Sequence, residues 1–260
     1  MTWIFIWDTA PSKIFVGDTQ VSKVFVGDTQ VRPTLPDYLC FTANTAWSTI
    51  ALNKSWTPTS VTLETSTNWT NWTTYTFWTT ITLSNVWDKV YWRNTSETDT
   101  WFSIASNKLY QFSMTWSINW SGDINFLLNK NSTTTLSSNC YNYLFNSCYP
   151  LRTCPKLTAT TLAESCYENM FYRCSNLTTL PKLPATTLAN NCYAYMFGNC
   201  SGIKISKTKT WSYQTAYRIP TTWTWTAWTW SLSYMFASTW WTFTWTPSIN
   251  TTYYTSNTLV

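Results

Sequence analysis

The chain of 260 residues contains no histidine. That removes the usual general base, and with it the Ser-His and Cys-His nucleophile pairs. No C-x-x-C pair occurs either, so the common zinc patterns are missing. Charge is scarce: 10% of residues are charged, and the eleven carboxylates are scattered. A glycosidase pair would need two of them to converge from distant positions. Glu164 and Glu168, four apart, read as solvated rather than catalytic, because charged side chains are seldom buried. No Walker-type loop or dinucleotide fingerprint is present. The inventory points away from an enzyme and calls for no cofactor and no metal.

Long apolar runs are absent too. None reaches about 18 residues, so no membrane span is expected. Met1 to Asp8 has no basic region and only a short apolar stretch, unlike a secretion signal. The net charge of +5 is spread along the chain. Its densest run, Lys204, Lys207 and Lys209, reads as a solvated edge; nucleic-acid footprints cluster many more basic residues, and no nucleic-acid partner is expected. Asn-x-Thr triplets such as Asn68-Trp69-Thr70 are what chance supplies in an Asn/Thr-rich chain.

Glycine is the oddest shortage: five glycines stand against twenty tryptophans. Ile4-Phe5-Ile6-Trp7-Asp8-Thr9 is echoed ten residues later by Ile14-Phe15-Val16-Gly17-Asp18-Thr19, and again by Val24-Phe25-Val26-Gly27-Asp28-Thr29, which puts Trp7 in a glycine slot. Trp69, Trp87 and Trp120 follow or precede turn-forming residues where glycine is the natural choice, since a bulky side chain disfavours positive φ. One explanation is a codon that the source organism reads as glycine, UGA being the obvious candidate. Trp72 and Trp92, in aromatic strand contexts, read as genuine. Thr221 to Trp230 would then be a Thr/Gly tract; the alternative is a strand of alternating Trp and Thr. Aromatic patches are therefore not read as stacking platforms on sequence alone.

What is plentiful is repetition. Cys140, Cys166 and Cys192 are 26 apart, as are Cys148, Cys174 and Cys200, and Leu136, Leu162 and Leu188. Tyr141, Tyr167 and Tyr193, and Phe145, Phe171 and Phe197, keep the same step. A fixed period of this length marks stacked units that bury an apolar face on their neighbours. In the second copy, Leu162, Cys166, Met170 and Cys174 recur every four residues with Phe171 alongside, the spacing of a short helix. Leu177 to Leu180 reads as a short strand, stopped by Pro181 and Pro184. Met196 matches Met170 in the third copy. Tyr234-Met235-Phe236 begins a degraded fourth copy, one period plus 13 residues after Tyr195-Met196-Phe197.

The motif Cys166-Tyr167, Met170-Phe171, Cys174, Leu177, Pro181 and Leu183-Pro184-Ala185-Thr186-Thr187-Leu188 resembles the BspA-like leucine-rich repeats of bacterial surface proteins. The likeness covers about 75 residues. The first copy departs from it at Cys154, the third after Cys200. It implies a solenoid of strands and short helices.

Within a unit the cysteines are eight apart, about 12 Å on a helix, too far for a bridge. The favoured reading is a ladder of buried thiols, with bridges between units as the alternative.

The expected fold class is mainly β with short helices. Residues 1–36 form short ten-residue β repeats, with Asp8, Asp18 and Asp28 too sparse for calcium and Lys13, Lys23 and Arg32 near the unit ends. Residues 37–120 form a β-sandwich-like domain, with strands expected at Tyr38–Thr42, Val61–Glu64, Thr73–Phe77, Thr80–Leu83, Lys89–Trp92 and Leu109–Met114. Residues 121–260 form the repeat solenoid, Ser121 to Leu128 capping it. The functional expectation is a non-catalytic surface or appendage protein, at the cell surface or on a virion, binding a protein or glycan. The rivals are a phage virion structural or tail accessory protein and a polysaccharide-acting hydrolase.

Overall fold

The computed structural model describes residues 15–16, 19–20, 25–26, 29–30, 36–55, 61–220, 226–228, 230–241 and 246–260. The chain divides into two compact units, Met1–Asp37 and Tyr38–Val260. In the first, β1 (Phe15–Val16) pairs antiparallel with β2 (Thr19–Gln20), and β3 (Phe25–Val26) pairs likewise with β4 (Thr29–Gln30). Phe15 lies opposite Gln20 and Phe25 opposite Gln30, so the ten-residue period is one strand pairing repeated. Trp7, Asp8, Lys13, Asp18, Lys23, Asp28 and Arg32 lie outside the described residues, as does the start of the Thr221 to Trp230 tract.

The larger unit is mainly β. It opens with β5 (Leu39–Ala43), β6 (Ser48–Lys54), β7 (Leu63–Ser66), β8 (Thr73–Thr74), β9 (Ile81–Leu83), β10 (Lys89–Asn94), β11 (Tyr110–Thr115) and β12 (Ile118–Ser121). These make two antiparallel sheets, one in the order β12-β5-β10-β7-β8, the other β11-β6-β9. The side chains explain which face is covered. In β11, Tyr110 and Phe112 are buried while Ser113 and Thr115 are exposed, the period-2 alternation of a half-covered strand. Phe112 meets Phe41 at 5.0 Å and Trp92 at 5.3 Å between ring centroids, joining the two sheets through one aromatic core. Burying each such ring contributes roughly 1.5–3 kcal/mol.

That core does not end at residue 120. Phe112 stacks on Phe145 at 5.1 Å, Trp120 meets Phe145 at 4.1 Å, and one continuous apolar cluster runs from Leu39 to Tyr253. Trp120 itself is in β12 and 2% exposed, not at the turn its sequence neighbours suggested.

The expected short helices are not there. Among the described residues the one helix is a 3-10 turn, Ile124–Leu127, started by the Asp123 side chain accepting from the Asn125 N–H. In each 26-residue unit the cysteine-to-cysteine segment runs instead as consecutive turns. Cys140, Asn142, Leu144, Asn146 and Cys148 donate their N–H three residues back, to Ser137, Asn139, Tyr141, Tyr143 and Phe145. The intervening N–H groups of Tyr141, Tyr143, Phe145 and Ser147 donate outward, to the carbonyls of Cys166, Glu168, Met170 and Tyr172 in the next unit. Every backbone donor of the segment from Cys140 to Cys148 is thereby used. The geometry requires positive φ at every fourth residue: Asn139, Tyr143, Ser147; Ser165, Asn169, Arg173; Asn191, Tyr195, Asn199. An α-helix would direct all of these N–H groups within its own unit. The apolar spacing of four suits both arrangements, and the bonds to the next unit decide between them.

The remaining strands tie the far end. β13 (Thr179–Leu180) pairs parallel with β20 (Thr258–Leu259), and β14 (Thr187–Leu188) with β17 (Thr226–Ala227). β15 (Lys204–Ser206), β16 (Thr215–Ile219), β18 (Trp240–Trp241) and β19 (Thr251–Thr255) form a four-stranded sheet in the order β16-β19-β15-β18. Parallel bridges link Thr135 to Thr161 and Thr161 to Thr187, repeating the 26-residue step. At Gly202 a Cβ would lie 2.3 Å from the Leu177 carbonyl oxygen, so close backbone contact with the second copy accounts for the glycine at this position of the third.

Candidate functional site

The interior of the stack is built from the recurrent residues. Cys140, Cys148, Cys166, Cys174, Cys192, Cys200, Leu136, Leu188, Phe145, Phe171, Phe197, Met170 and Met196 are all buried; Leu162 is only partly so. Phenylalanine rings form a column, Phe145 on Phe171 at 5.7 Å, Phe171 on Phe197 at 5.6 Å, Phe197 on Phe236 at 5.5 Å, all nearly parallel. A second column runs Tyr141, Tyr167, Tyr193 at 5.7 Å steps. Phe236 keeps register 39 residues after Phe197, so the extra 13 residues are accommodated without breaking the column.

All eight cysteines are free and buried. The second thiol of each unit does more than fill space. Cys174 Sγ donates to the Phe145 carbonyl at 3.1 Å, Cys200 Sγ to the Phe171 carbonyl at 2.9 Å, and Cys148 Sγ to the Phe112 carbonyl at 3.1 Å. A cysteine recurs here because it combines small apolar bulk with a weak donor. Phe112 thus receives the bond that a preceding unit's phenylalanine would receive, and its own N–H donates to Leu144. The β11 strand serves as the first rung. Ile124–Leu127 closes the same end, where the Tyr141 hydroxyl donates to Asn125 Oδ1 or the Ile124 carbonyl at 3.0 and 3.2 Å. Burial pushes the Cys148 and Cys166 thiols up to about 12 and the other repeat thiols in the same direction. These groups are protonated and poor nucleophiles. Among the described residues no three of His, Cys, Asp or Glu gather as a metal site.

The outer face carries the accessible chemistry. Tyr143, Glu168, Tyr172 and Tyr195 are half-buried and Tyr234 is exposed. Tyr195 and Tyr234 stack at 5.1 Å, and Arg173 lies over the Tyr172 ring at 5.4 Å. Desolvation raises Glu168, helped by Glu164 and opposed by a hydrogen bond from Ser165. Desolvation also raises Tyr143, and the nearby Glu168 and Tyr172 add to it. One partly dehydrated carboxylate therefore sits between tyrosines of the units on either side, Tyr143 and Tyr195, with Tyr234 stacked beyond Tyr195. Glu168 was read from sequence as freely solvated; its half-burial follows from the stacking of turns, which brings neighbouring units over it. Beside this patch Glu164, Ala189, Asn190, Trp228 and Trp230 line an open cleft of about 540 Å³, with Asn190 Nδ2 donating to Glu164 Oε1 at 2.9 Å. Lys204, Lys207 and Lys209 are exposed.

No described helix is long and apolar enough to cross a membrane. The chain matches no family model, no curated protein and no solved structure.

Proposed function

We propose that the chain is a non-catalytic surface or appendage protein, cell-surface or virion-borne, whose repeat region is a BspA-like solenoid presenting an extended face to a ligand. The observation that supports this reading is the regular register of the units. Backbone bonds, ring columns and thiol bonds recur at one step, so side chains at equivalent positions are set out in a row on the outside. Of the two ligand classes, a glycan suits the row better than a protein. Tyrosine rings offer flat faces with a polar edge, and Glu168 offers a partly dehydrated acceptor for hydroxyl groups.

A glycan array with the purified chain tests the proposal. Retention of one polysaccharide class is expected, weakened at least tenfold by Tyr195→Ala with Tyr234→Ala. Absence of any retained glycan, or cleavage of the bound one, overturns it.

A further inference from the structure

The tryptophans of the two-sheet region fall into two groups by backbone geometry. Trp47, Trp69, Trp78, Trp87 and Trp116 have φ of 64°, 69°, 71°, 73° and 58°. Trp92 lies in β10, fully buried, with its ring against Phe41, Tyr75 and Phe112. Left-handed φ is uncommon for any residue with a Cβ, and for a bulky one it is an outlier. Elsewhere the chain meets this demand with asparagine, serine and the residues of the stacked turns. Among the described residues, the positive-φ positions other than glycine that lie outside those turns and their fourth-copy equivalents Tyr234 and Ser238 are the five tryptophans, Ser132 and Asn250.

The local turns specify the missing residue. The Asp88 N–H donates to the Asn85 carbonyl at 3.3 Å, which places Trp87 third in a four-residue turn. The Thr79 N–H donates to the Thr76 carbonyl at 3.2 Å, which places Trp78 third in another. Positive φ at the third position defines the type II turn, where glycine is the preferred residue. At Trp69 the preceding Asn68 completes an Asn-Gly-like pair in the loop between β7 and β8. Burial offers little in return: Trp47, Trp78, Trp87 and Trp116 are 60–70% exposed, and Trp69 is 37% exposed.

We infer that Trp47, Trp69, Trp78, Trp87 and Trp116 occupy positions that carry glycine in the protein as its own organism makes it. Their codon is one that organism reads as glycine, and it differs from the codon of Trp92. Trp120 needs no left-handed backbone, so the geometry assigns nothing there.

Two measurements test this. Peptide mass spectrometry of the protein from its source cells is expected to give glycine at all five positions and tryptophan at 92; tryptophan at the five overturns the inference. In the recombinant chain, Trp78→Gly and Trp87→Gly are each expected to melt about 2–4 °C above the matching alanine variants, because only glycine escapes the Cβ penalty. Trp92→Gly is expected to melt below the parent. Glycine variants at 78 and 87 that melt no higher than the alanine variants overturn the structural basis. Neither readout depends on a ligand, so the outcome is separate from that of the glycan experiment.

Discussion

In the stacked turns the left-handed positions fall on Asn139, Ser147, Ser165, Asn169, Asn191 and Asn199 among others, four residues apart; in the two-sheet region they fall on tryptophans at isolated turns. The backbone demand is the same, and the compensation differs. Each left-handed residue of the stack turns the chain so that the neighbouring N–H groups reach the next unit, and asparagine and serine tolerate the conformation at small cost. Even Tyr143, Arg173 and Tyr195, costing about 1–2 kcal/mol apiece, sit inside a bonded lattice that offsets the strain. The turns at Trp78 and Trp87 each have a single such bond, from the tryptophan N–H to the Leu52 and Ala43 carbonyls, and no repeating lattice around it. Cooperative stacking can carry an unfavourable residue; a lone turn has to be given the right one.

The largest expected effect comes from the thiols, which belong to the stack. The folded state holds protons on Cys148 and Cys166 up to about pH 12, whereas the unfolded chain releases them near 9. The stabilisation is complete below about pH 9 and is lost as pH rises towards 12, at roughly 4 kcal/mol per thiol by the top of the window. Cooperative unfolding within that interval, followed by circular dichroism, is the expected result. Cys148→Ala with Cys166→Ala should move its midpoint upward, and no movement would separate alkaline stability from the ladder. Iodoacetamide should leave all eight cysteines unmodified in the native protein and label all of them in denaturant.

Next comes the ring column. Phe171→Ala removes the ring between Phe145 and Phe197 and should cost about 3–5 kcal/mol in denaturant titration. A loss under about 1 kcal/mol would mean the column does not hold the units together. Smaller still is Trp87→Gly, expected to gain on the order of 1 kcal/mol from relieved strain; a loss would erase the contrast between the two regions. The smallest is Arg93→Ala. Arg93 pairs with Glu64 at 2.7 Å and lies 4.0 Å from the Trp72 ring centroid, yet the pair is partly solvated, so no more than about 1 kcal/mol should be lost.

Much of this is legible in the residues before any coordinates. The 26-residue step, the extra 13 before Tyr234 and the buried sulphur positions all follow from recurrence, because a stacked unit must repeat whatever it buries. Helix was the wrong reading of the same recurrence. Apolar residues at intervals of four fit a helix, but Ser165 and Asn169 are four apart and Asn139 and Ser147, like Asn191 and Asn199, eight apart, and only turns need left-handed residues at that interval. In the two-sheet region two strands were missed, and most strands beyond residue 180 were not foreseen. Ser48–Lys54 mixes Thr49, Asn53 and Lys54 with its apolar residues, and Ile118–Ser121 was hidden by Asn119-Trp120-Ser121, which imitates a turn. The tyrosine–glutamate patch could not be seen either, because its members lie one unit apart and meet only through stacking.

Phe112 has a consequence for how such a chain can change over time. Since a sheet strand supplies the first rung, further rungs need match only the one before them. The closing end is more demanding, because Thr258–Leu259 pairs with Thr179–Leu180 of the second unit while Asn257 bonds to carbonyls of both the second and third, so a unit could be gained next to the founding strand more readily than one could be lost at the far clasp.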